Sequence, residues 1–200
     1  MSFWRALKGY RRFRQLSPKQ RRLVFYSEGR GDWPHLEPLI RELTTSSTPI
    51  TYLTSSADDP GHASSLVIPL YVGTGVVRTI LFRTINVDVL VMTMPDLNSF
   101  HLRKSVHPVR YVYVFHAINS VQMIYLKHAF DAYDAILCCG PHHVSELREI
   151  ERLNGLPKRM LIEHGYGRLD TLLATGFIPA ARRQPSEKIR VLLAPTWGES

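Results

Sequence analysis

Cysteine is nearly absent from this chain. The only two, Cys138 and Cys139, are neighbours inside an apolar run, which excludes a disulfide framework and offers no metal-ligand spacing. Long hydrophobic runs are missing too. Nothing approaches the roughly 20 apolar residues that a spanning helix needs, and no continuous apolar stretch of the signal-peptide kind follows the basic start. These absences point to a protein that stays in the cytosol. A full dinucleotide fingerprint is lacking as well: Gly73-Thr74-Gly75 has neither a well-defined preceding strand nor a third glycine, and reads as a turn at a helix start. Acid is absent from residues 1–22, which hold Arg5, Lys8, Arg11, Arg12, Arg14, Lys19, Arg21 and Arg22. Beyond them basic and acidic residues cancel, so the whole net charge of +8 sits in this leader.

The composition, 44% hydrophobic and 21% charged, is that of an ordinary globular protein, long enough for one sizeable core. In the leader, residues 1–21, Phe3, Trp4, Leu7 and Tyr10 recur at helical spacing, while Arg5, Lys8 and Arg12 fall on the other side. That is how a helix laid on anionic lipid is built, with Trp4, Arg5, Lys8, Arg11 and Arg12 as its contacts. Arg11 and Arg14 intrude near the apolar side and Gly9 weakens the helix, so packing on a partner domain is the competing reading. Nucleic-acid binding finds no recognisable module elsewhere in the chain.

From residue 22 onward, short β-rich runs alternate with helical ones. Strands are predicted at 23–27, 50–54, 87–92, 111–115, 135–139 and 159–162, with 66–72 ambiguous. Helices are predicted at 34–43, 76–85, 121–132, 144–153 and 169–174. The order implies right-handed βαβ units: an α/β, Rossmann-like domain over 22–176, its mostly parallel sheet covered by helices on both faces. Residues 177–188 read as an exposed linker, and 189–200 as the first strand of a second domain.

In open parallel sheets the ligand crevice lies outside the carboxyl ends of the strands. His116 stands there, one residue past a buried strand and ahead of the small polar turn of Asn119 and Ser120, where a titratable group meets substrate; a packed or hydrogen-bonded structural histidine is the alternative reading. Glu28 ends the first strand beside Gly29 and Gly31, which permit close backbone approach; a loop or helix cap is its alternative role. His164 ends the last strand beside Gly165. His142 and His143 follow Gly140-Pro141 and read as a solvated first turn rather than a metal site.

Four segments fall in register with the predicted strand ends: Ser27-Glu28-Gly29-Arg30-Gly31-Asp32-Trp33-Pro34, Phe115-His116-Ala117, Glu163-His164-Gly165-Tyr166-Gly167-Arg168-Leu169-Asp170 and Ala194-Pro195-Thr196-Trp197. In them the chain resembles the CDP-glycerol glycerophosphotransferase family, the teichoic-acid and capsule polymerases, over residues 22–197. Phe115 and Ala117 stand where that family has Trp and Gly, Gly167 where it has Pro, and Gly198 where it has Arg.

The resemblance implies a GT-B architecture with this chain as the N-terminal, acceptor-side half. It implies transfer of glycerol phosphate or a related polyol phosphate from a CDP-activated donor to a lipid-linked or polymeric glycan on the inner face of the cell membrane, without cofactor or metal. His116 is then the catalytic base. Arg168 and the Gly165–Gly167 turn face phosphoryl oxygens, with loop positioning through hydrogen bonds to carbonyls as the competing role of Arg168. Glu28, Gly29, Asn119 and His164 contact substrate, with simple loop packing as the alternative for His164. A GT-B enzyme acting on a UDP-sugar and a non-catalytic membrane-surface binding module are the alternatives.

Overall fold

The computed structural model describes residues 2–45, 48–98 and 102–176. Their apolar runs become seven strands: β1 Leu23–Ser27, β2 Ile50–Thr54, β3 Ile68–Tyr71, β4 Val89–Met92, β5 Arg110–Val114, β6 Ala135–Cys138 and β7 Met160–Glu163. All pair in parallel, in the order β3-β2-β1-β4-β5-β6-β7. A parallel sheet is covered on both faces, so its central strands carry unbroken apolar runs rather than alternation. Val24, Phe25 and Tyr26 of β1 and Tyr52 and Leu53 of β2 are accordingly sealed from solvent.

Helix α2, Trp33–Thr44, lays Leu36 and Ile40 on one face of the sheet against Phe25, Tyr52, Val91 and Val114. The other face carries α1 Ser2–Gln15, α3 Val76–Thr84, α4 Val121–Ile124 and α5 Pro141–Asn154. Phe13, Phe82, Val121 and Leu147 from these helices share one core with Val24, Tyr26, Tyr111 and Tyr113. Helix α6, Gly167–Ala174, packs beside α2. The architecture is Rossmann-like.

Two predicted helices are shorter than expected. The helix predicted over 121–132 stops at Ile124, because Tyr125 is extended and His128 has φ 72°, which no helix accommodates. The turns beyond it deliver Ala129, Phe130 and Tyr133 to the core, so the apolar spacing there marks burial, not helix. The leader helix ends at Gln15 and is followed by a 3-10 turn, Lys19–Arg21, rather than running to residue 21. The predicted linker and second domain, 177–200, lie outside the described residues.

The leader packs on the domain through a stripe different from the apolar one predicted. Ala6, Gly9 and Phe13 are buried against β3 and α3, whereas Phe3 and Trp4 remain exposed. Gly9, which weakens the helix in isolation, is what permits the docking: a Cβ there would come within 1.9 Å of the Tyr71 carbonyl oxygen. Arg5 extends this contact by stacking its guanidinium over the Tyr71 ring at 4.7 Å.

The carboxyl ends of β1 and β2 are fixed by one buried carboxylate. Asp59 accepts from Thr54 Oγ1 at 2.6 Å, Gly61 N at 2.8 Å and Tyr52 Oη at 3.1 Å, and lies 2.8 Å from Ser27 Oγ. A buried carboxylate is tolerated only when its lone pairs are filled in this way.

Gly9→Ala tests the docking with opposed signs. Helix propensity alone favours alanine by about 1 kcal/mol, but the clash with β3 is expected to reverse this and destabilise the fold by about 1–3 kcal/mol. Urea denaturation distinguishes the two: a more stable variant would show that α1 does not sit against β3.

Candidate functional site

The winding direction of the sheet reverses between β1 and β4, since connections from β1 run toward β3 and those from β4 toward β7. Among the described residues no helix covers the carboxyl ends of these two strands, and the crevice at such a reversal is where open α/β sheets take ligands. The turn Glu28–Asp32 follows β1 into it, Thr93 follows β4, and His116 comes from the neighbouring β5.

Asp32 shapes the first wall. Its Oδ2 accepts the backbone N–H of Glu28 at 2.7 Å and of Gly29 at 3.3 Å, closing the turn tightly onto α2. A Cβ on Gly29 or Gly31 would meet nothing within 4 Å, so neither glycine is demanded by packing and both leave open space at the crevice.

Behind Glu28 stands Arg78 from α3, its side chain 15% exposed, with Nη1 3.6 Å from Glu28 Oε1. Nη1 also donates to Tyr26 Oη at 3.1 Å. Ser55 Oγ gives its single proton to the Gly73 carbonyl at 2.8 Å, so Tyr26 donates to Ser55 and accepts from Arg78. This relay holds the guanidinium firmly, while its Nε–H is buried without a partner among the described residues. Glu28 is pushed above the usual carboxylate range, chiefly by burial, with the Arg78 charge opposing that.

His116 is half-buried at the centre. Its Nδ1 lies 3.5 Å from Tyr113 Oη, and the backbone of Thr93 also bonds the ring. Burial lowers its pKa below the ordinary 6.5, with the Asp32 charge and the Thr93 bond opposing the shift, so the imidazole is neutral at pH 7. A second imidazole, His35 from α2, sits with its ring centroid 5.9 Å from that of His116. Burial first, then His116 and Arg168, push His35 down to about 4. Arg168 Nη1 lies 3.5 Å from His35 Nε2; an arginine can only donate, so the His35 proton sits on Nδ1, which is buried without a partner among the described residues.

The β7–α6 turn closes the site from the side of α2. Gly165 turns the chain at φ 79°, and Tyr166 Oη donates to the His116 carbonyl at 3.1 Å. At Gly167 a Cβ would come 2.7 Å from Pro38 Cβ, which is the physical reason a glycine occupies this position beside α2. Arg168 is exposed at the rim.

His164 turns away from this cluster: its backbone N–H and its ring Nδ1 both bond the Cys138 carbonyl at 3.0 Å. Asn119 is the hub of the loop after His116. Its carbonyl accepts from His143 Nε2 at 2.8 Å, and its side-chain Oδ1 is buried without a partner among the described residues. His143 is a correction to the solvated reading: it is fully buried, stacked 4.0 Å from Phe115, with Nδ1 accepting from the Cys139 N–H.

The structure therefore gathers Glu28, Gly29, His116 and Arg168 around one crevice and sets Asn119 and His164 behind or beside it. It adds Asp32, His35, Arg78 and Tyr166. Of these, Asp32 and Tyr166 lie inside the strand-end segments of the sequence, whereas nothing in the local pattern marks His35 or Arg78. Among the described residues no group of three or more His, Cys, Asp or Glu is arranged to hold a metal ion. No family model, no curated protein and no solved structure matches the chain.

His143 carries a pH prediction. Burial holds it below its ordinary 6.5, so below that pH the unfolded chain binds the proton more readily than the fold does, and stability falls as pH drops. His143→Gln keeps a donor toward Asn119 and cannot be protonated. Its loss of urea midpoint between pH 7 and pH 5 is expected to be smaller than that of the wild type; an unchanged pH slope would mean that His143 is not buried in its neutral form.

Proposed function

We propose that this chain is the acceptor-side half of a GT-B glycerophosphotransferase. It carries glycerol phosphate, or a related polyol phosphate, from a CDP-activated donor to a lipid-linked or polymeric glycan at an anionic membrane surface. The observation that carries the reading is one turn, Glu28–Asp32, with a neutral imidazole, His116, under the Asp32 charge and a firmly held guanidinium, Arg78, behind Glu28.

The chemistry asks for both. The acceptor hydroxyl attacks the β-phosphorus of the donor; the new O–P bond forms as the bond from that phosphorus to the bridging oxygen breaks, and CMP leaves with that oxygen. The hydroxyl proton goes to the His116 imidazole, which is unprotonated at neutral pH. Negative charge gathers on the phosphoryl oxygens, where fixed donors lower the barrier. Arg78 offers its positive charge from a rigid mount behind Glu28, and Arg168 offers an exposed cation at the rim. Asp32 opposes the loss of basicity caused by burial and so keeps the base strong enough to accept the proton.

Membrane attachment in this reading comes from α1. Its exposed Trp4, Arg5, Lys8, Arg11 and Arg12 lie on a leader with no acid, the composition that anionic lipid attracts. No described helix is long and apolar enough to cross a membrane.

The test uses the complete enzyme with CDP-glycerol and membrane-bound acceptor. His116→Ala is expected to fold normally and to lose about 10²- to 10⁴-fold in turnover, the usual contribution of a positioned base. His116→Gln should fare no better, and His142→Ala should stay near wild type. In the wild type the acid limb of kcat/KM falls with a midpoint below 6.5, the ordinary value from which burial lowers His116. Wild-type turnover in His116→Ala would refute the assignment.

A further inference from the structure

A second cationic site lies away from the crevice, where α1 crosses the edge of the sheet. A groove of about 250 Å³ between α1 and β3 is lined by Arg5, Lys8 and Arg12 together with His62 and Tyr71. Because Ala6, Gly9 and Phe13 fix the helix against the domain, the three cations are held along one side of it rather than spread over a free helix. Arg5 is steadied by the Tyr71 ring. His62 is oriented by its Nε2 bond to the Ser56 carbonyl at 3.1 Å. Among the described residues none of the three cations is paired with a carboxylate.

A concave cluster of unpaired N–H donors beside an aromatic wall is a receptor for a phosphate ester. Two sources share that chemistry, a lipid head group and a soluble phosphate. Trp4, 72% exposed, and Phe3, 54% exposed, precede Arg5 on the same helix and have no use in binding a soluble anion. They are the side chains that enter the interfacial layer when the head group is taken from a bilayer. We infer that the α1–β3 groove is a specific binding site for the phosphodiester head group of an anionic phospholipid. The site rests on the membrane-surface part of the proposal above and adds to it that attachment depends on a defined pocket, not on net charge alone.

Co-sedimentation of the full chain with vesicles, in the absence of any donor, tests this. The probes are phosphatidylcholine vesicles with and without phosphatidylglycerol. Arg5→Gln/Arg12→Gln removes two charges inside the groove, and Arg11→Gln/Arg14→Gln removes two charges outside it. Wild-type binding should require phosphatidylglycerol, and the groove variant should lose at least about tenfold more affinity than its charge-matched control, which loses only the general attraction of basic residues to an anionic surface. Equal losses in the two variants would overturn the pocket. Competition by millimolar soluble glycerol phosphate as effective as that by vesicle lipid would overturn the lipid source. If the double variant unfolds, Lys8→Gln against Arg14→Gln makes the same comparison without touching the Tyr71 contact. Because no turnover is measured, failure here leaves the transferase reading standing, and failure of His116→Ala to lose turnover leaves the pocket standing.

Discussion

The reversal of winding between β1 and β4 is the constraint on which the other features depend. Parallel strands need crossovers, right-handed crossovers fix the face on which each helix lands, and a change of direction leaves two neighbouring strand ends uncovered. Here α2 departs to one face while α3, arriving from β3, lies on the other. The Glu28–Asp32 turn, with Arg78 behind it, Thr93 and His116 all lie at this gap. The Asp59 carboxylate secures the same end of the sheet by binding Thr54, Tyr52 and the Gly61 amide, so the β1 turn leaves from a rigid base.

Within the gap, charge is arranged by separation. The largely buried cation Arg78 is mounted through Tyr26 and Ser55 on the Gly73 carbonyl. The two imidazoles are neutral because burial penalises their charged forms, and each would oppose a proton on the other. Asp32 acts on this balance from the turn. Under the proposed function, His116 serves as the base and Arg78 as the fixed cation that phosphoryl transfer to a hydroxyl calls for.

Much of this framework was legible in the sequence. Leu23–Ser27 and Ile50–Thr54 are short runs rich in apolar, aromatic and β-branched residues between polar turns, and the strands occupy those residues. His116 was visible because it terminates such a run. The misses have physical causes. The spacing in 121–132 reflects side chains delivered to the core by turns, which periodicity cannot tell from a helix. His143 looked solvated because Gly-Pro-His-His is a helix-start signal, and only tertiary packing places its ring under Phe115. Gly9 read as a helix weakener because its reason, the Tyr71 carbonyl, lies on a distant strand. Arg78 and His35 sit on helices whose local pattern concerns burial, so their approach to the crevice follows only from how the sheet is wound.

The central claim is that the crevice keeps His116 neutral and that Asp32 sets how basic it is. Titration of the imidazole C–H resonances by NMR, in the wild type and in Asp32→Asn, reads both at once. The account predicts a His116 midpoint below 6.5 in the wild type and a further fall in Asp32→Asn, since burial lowers the pKa and the Asp32 charge opposes it. A midpoint at or above 6.5, or one that Asp32→Asn leaves unmoved or raises, would contradict it.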